Sequence, residues 1–226
     1  MEFLSKVIKQ KPNKINLEYI TSNKNVITEA NDQFYKEDVS LKGWASWIFS
    51  VVFSFVAFVL LLLSGGSGSL IIEIILFIVA FIMLIYGFIA PARFKIYDRL
   101  NGIVFLPNRI GKDATLNFST SVGFIKYINS SPGVMSGMLK LLSSRKRPRQ
   151  GGFLAQHNLD NVWAFTVWYM DKNRPLPPGT AFDPYRQKDF ERRKAEGFPK
   201  PLYPSNIATP EATKAQQAER LRIGKW

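Results

Sequence analysis

The chain has 226 residues, a length for one or two ordinary domains, with 30 Lys+Arg against 17 Asp+Glu and a formal net charge of +13. It has no Cys and one His, which excludes disulfides, thiolate metal sites, thiol nucleophiles and multi-His metal centres. Its densest run of apolar residues sits in one block and most of its positive charge follows that block, so the composition does not read as one uniform globule.

Residues 1–43 are nearly neutral and are expected as an N-terminal cytoplasmic segment. Their short apolar stretches, Val7–Ile8, Ile15–Leu17 and Tyr19–Ile20, fit either strands or one poor helix. Residues 44–63 then run without a charge, a Pro or a Gly, and residues 70–90 carry a single charge, Glu73. About twenty helical residues match the thickness of a bilayer's hydrocarbon core. The six-residue connector SGGSGS at 64–69 is too short for a domain, so the expectation is a transmembrane helical hairpin of two antiparallel helices over 44–91. A signal peptide is the poorer reading, because a long polar segment precedes the first helix. Lys36, Lys42, Arg93, Lys95, Arg99 and Arg109 flank the pair while the connector has no cation, which puts both termini in the cytoplasm of a multi-pass inner-membrane protein. Glu73 lies near the connector end, where it suits a helix N-terminus better than an ion path.

Residues 92–174 read as a small cytoplasmic α+β domain. Phe94–Asp98 alternates apolar and polar, Asn101-Gly102 supplies turn chemistry, and Ile103–Pro107 follows as the returning strand. Val122–Ile128 and Phe153–Leu154 are further strand candidates. Asp160 is placed to cap a helix over Asn161–Asp171, whose Trp163, Phe165, Trp168 and Tyr169 predict a buried face and not a base-stacking surface. His157 has no GxSxG partner motif and is read as structural.

Residues 175–226 form a Pro-rich, basic tail with two short helices. Asp183-Pro184 starts one and Gly197 ends it; Thr209-Pro210 starts the other and Gly224 ends it. Phe190 is the only large apolar residue of the first helix past its first position, and Arg192-Arg193-Lys194 reads as a solvent face. Neither helix is expected to stand alone: each lies along the small domain or awaits a partner.

No catalytic constellation or phosphate loop is present, so a non-enzyme with no cofactor and no metal is expected. The densest basic run is Arg145, Lys146, Arg147 and Arg149, which suits anionic lipid headgroups or an acidic partner better than nucleic acid.

The stretch 163–170 (WAFTVWYM), followed by PLPPGTAFDPYR at 175–186 and DFERRKAEGFPKPLYPS at 189–205, resembles the cytoplasmic half of an uncharacterised family of bacterial two-helix membrane proteins. The apolar pair and the strands around RFKIYDRLNGIVFLP at 93–107 fit the same pattern. Genes of that family tend to lie beside antibacterial effectors of type VI secretion. The resemblance implies an inner-membrane immunity-type protein that binds and neutralises a cognate secreted toxin, an acidic one suiting the charge of +13. The alternative is a membrane-tethered scaffold that recruits a cytoplasmic partner to a secretion apparatus.

Overall fold

The computed structural model describes residues 5–8, 10–11, 13–15, 26–40, 44–64, 70–89, 91–108, 111–131, 134–144 and 150–226. The chain divides into two compact units, Val39–Arg93 and the remainder, Met1–Asp38 with Phe94–Trp226.

The inserted unit holds helices α1 (Trp44–Ser64) and α2 (Leu70–Ile89). Small residues make their contact: Ala57, Ala80 and Ser50 are buried, while Phe55, Leu62, Phe81 and Ile89 point outward. Trp47 packs on Phe88 with ring centroids 4.6 Å apart. Among the described residues no helix is long and apolar enough to cross a membrane. This corrects the expected α+β membrane protein with a transmembrane hairpin, and with it the two-span inner-membrane placement. The side chain of Glu73 lies outside the described set.

The larger unit is an α+β fold with two antiparallel sheets. One is a meander in the order β2-β3-β4-β5-β6, formed by Ile27–Ala30, Phe34–Asp38, Phe94–Asp98, Ile103–Leu106 and Ala114–Asn117. The other has the order β1-β7-β8-β9, from Ser5–Ile8, Val122–Ser131, Val134–Leu142 and Gly151–Ala155. The N-terminal segment is thus tied into both sheets. β1 pairs with β7, and β3 pairs with β4 from Phe34 opposite Asp98 to Asp38 opposite Phe94. Alternation explains β4 and β5: Lys95, Tyr97, Val104 and Leu106 turn inward. Gly102, at φ +68°, closes the tight connection between them, as the Asn-Gly pair predicts.

Helix α3 (Leu159–Met170) begins two residues before the sequence suggests, with Asn158 rather than Asp160 at its N-cap. Every residue from Val162 to Met170 is buried, because the helix touches both sheets. Trp163 fills the space over Gly123, where an added Cβ would come within 2.6 Å of the indole. Phe165 and Tyr169 pack on Tyr35 of β3 with ring centroids 4.8 and 5.6 Å away. The sheets also approach each other directly, since a Cβ on Gly152 of β9 would stand 2.3 Å from Leu106 Cβ of β5.

The tail is folded against this core. Trp168 Nε1 donates to Pro175 O at 2.8 Å, and Phe182, in a 3-10 turn over Thr180–Tyr185, is fully buried beside Phe165 and Tyr169. Helices α4 (Arg186–Ala195) and α5 (Lys214–Gly224) follow. Gly197, at φ +76°, ends α4 as expected. Asp183 instead pairs with Arg186 at 2.8 Å, and α5 starts from a Thr213–Gln216 capping box rather than from Thr209.

Candidate functional site

The largest concentration of polar chemistry is where α4, α5 and the Pro-rich segments meet the β4–β5 connection. Arg99, immediately after β4, is fully buried. Its guanidinium donates to the Asp189 carboxylate and to the carbonyl oxygens of Arg174 and Asp171. Asp189, in the first turn of α4, also accepts from Arg193 Nε at 2.9 Å and Arg192 Nη2 at 3.0 Å. Arg193 then forms a two-pronged pair with Glu211, Nη1 to Oε1 at 2.7 Å and Nη2 to Oε2 at 2.8 Å. Arg220 of α5 shares Glu211 Oε1 at 3.2 Å and donates to Thr209 O at 2.9 Å. A second pair lies alongside: Arg174 Nε meets Asp171 Oδ2 at 3.1 Å, and the same carboxylate caps the backbone N–H groups of Leu202 and Tyr203 at 3.1 Å each.

The electrostatics follow from this geometry. Burial by itself would raise the Asp189 pKa, but Arg99 and Arg193 outweigh it and hold the carboxyl below its ordinary value. Burial lowers the Arg193 pKa, and its bonds to Glu211 and Asp189 reverse the sign. For Arg220 burial wins over Glu211, with the like charges of Arg193 and Arg174 adding to the depression. Tyr203 is pushed up to about 12 by burial and by Asp171.

Two cavities border the network. One of about 510 Å³ is lined by Trp168, Leu176, Pro178, Arg186, Pro210 and Glu211, among others. The other, about 430 Å³, is lined by Arg174, Lys200, Ser205, Thr209, Arg220 and Trp226 with intervening prolines.

Of the residues singled out from sequence, Arg145, Lys146, Arg147 and Arg149 fall outside the described residues. His157 is exposed and lines neither of these cavities. Among the described residues no group of three His, Cys, Asp or Glu side chains is placed to hold a metal. Arg192-Arg193-Lys194 is only partly a solvent face: Lys194 is exposed, Arg192 is half-buried, and Arg193 is buried. The buried network escaped the sequence reading, although the i,i+4 spacing of Asp189 and Arg193 was a usable signal.

Comparison of the chain with protein families, curated proteins and solved structures finds no match. The type VI secretion and immunity role implied by the resemblance gains no support from them.

Proposed function

We propose that the protein acts by binding another protein and not by catalysis, as an immunity-type partner that neutralises a cognate antibacterial toxin. The supporting observation is how the buried charged groups are spent. Asp32, Lys95, Arg99, Asp171, Arg174, Asp189, Arg193, Glu211 and Arg220 are buried, and each has an oppositely charged partner inside the fold. That arrangement fixes the tail as a rigid, preorganised surface, which lowers the ordering cost of association. The toxin as partner rests on the resemblance of the tail motif. The excess of positive charge favours an acidic one, and the run Arg145, Lys146, Arg147 and Arg149 is its contact.

The test is competitive survival. A strain lacking the gene is mixed with its parent and, separately, with a secretion-dead parent. Death only beside the secretion-competent parent supports neutralisation. Equal survival overturns it, and a deletant that survives but can no longer kill its neighbours identifies an adaptor of the secretion apparatus instead.

A further inference from the structure

We infer that the cavity of about 430 Å³ between the Pro-rich segment and α5 is a binding site for a small oxyanion-bearing molecule, held through its phosphate or carboxylate group by Arg174, Lys200 and Arg220. Its volume lies in the range of small-molecule pockets. Three cationic side chains line it and no Asp or Glu side chain does.

The donors support the same reading. A guanidinium offers five N–H groups. Arg174 uses three, to Asp171, Thr209 and Tyr203 O, and Arg220 uses three, to Thr209 O, Glu211 and Gln217. Two on each are therefore without an acceptor among the described residues. Arg220 Nε is one of them: it is buried and has no hydrogen-bond partner, in a residue that is 5% exposed. Carboxylates are also shared. The four buried arginines 99, 174, 193 and 220 are each ion-paired, but only three buried carboxylates, Asp171, Asp189 and Glu211, serve them, and Lys200 adds a further cation at the cavity. Burial is the main cause of the lowered Arg220 pKa, with the like charges of Arg193 and Arg174 adding to it, and a bound anion would oppose that depression.

The frame is held from behind. Asn173 Nδ2 donates to Lys200 O at 2.7 Å, which fixes the backbone at Lys200 while its side chain stays exposed. Trp226 lies over the Arg220 guanidinium at 4.4 Å and donates through Nε1 to Phe198 O at 2.8 Å, so one wall is an anchored aromatic face. Arg220 and Arg174 are thus preorganised, and Lys200 is the group free to adapt.

This inference does not depend on the toxin reading, and its test uses the full chain alone. Inorganic phosphate and citrate are titrated separately by calorimetry at fixed ionic strength. Saturable one-to-one binding of either probe is expected, and the tighter one assigns the ligand to phosphates or carboxylates. Lys200→Glu should weaken binding by about tenfold or more, a close charge-assisted contact being converted into repulsion. Lys112→Glu, an exposed change of the same charge away from the cavity, should stay within about twofold because solvent screens distant charges. The milder Lys200→Ala should fall between them. Absence of saturable heat with both probes up to ~10 mM, an affinity too weak to be specific, overturns the site. Equal weakening by the Lys112 and Lys200 variants overturns it too, because it reduces the effect to net charge.

Discussion

Asp189 holds Arg99, Arg192 and Arg193 at once, in a position where it is 1% exposed. Removing one member of such a group leaves buried charge without compensation, which costs far more than the pair contributes net. Asp189→Asn is therefore expected to lower stability by about 3–5 kcal/mol, read from the urea midpoint at neutral pH. The pH dependence has a definite sign. The folded pKa of Asp189 lies below its ordinary value, so its contribution is complete above ~4 and is lost as pH falls through the folded value. The native protein should lose stability over that acid range more steeply than the Asn variant. Parallel curves would show that Asp189 is not the group being protonated.

At the scale of elements, legibility tracked how residues spend their burial. β4 and β5 were readable because apolar and polar positions alternate around an Asn-Gly turn. β3 was not, because its sequence, FYKED, is mostly charged, and Tyr35 alone carries its inward face into the core. The tail helices were recognised, but what they bury was misjudged. α4 buries Asp189 and Arg193 beside Phe190, and α5 buries Arg220, the same residue types that elsewhere mark a solvated face. Sequence alone does not separate a paired buried arginine from an exposed one, because the partner comes from another element: Glu211 lies 18 residues from Arg193 and Asp189 lies 90 from Arg99. The start of α5 gives a direct check. Thr213 accepts from Gln216 N and Gln216 reaches back to Thr213 N, so Thr213→Ala should cost ~1 kcal/mol in thermal unfolding. An unchanged midpoint would mean that α5 is held by its ties to the rest of the tail, through Gln216, Gln217, Glu219 and Arg220, and not by its cap.

For the molecule as a whole, the inserted hairpin enters and leaves between two neighbouring strands. Asp38 and Phe94 are register partners, so the points of departure and return are about 5 Å apart. A two-residue turn spans that gap. Replacing residues 39–93 with Asn-Gly is expected to leave a chain that unfolds in one cooperative transition, with the β-rich circular dichroism of the larger unit. A broad, non-cooperative melt would show that the sheets depend on the insertion.

The distance in sequence between Arg99 and Asp189 also has a consequence for biosynthesis. The ribosome delivers the arginine 90 residues before its carboxylate partner. Until α4 emerges, the β4–β5 connection carries a cation without its carboxylate, so the core stays open on the side that the tail covers. Completion of the fold is thereby coupled to translation past residue 189. A product released before that point presents an open core to the cell's proteases, and only a chain that has reached α4 can seal it.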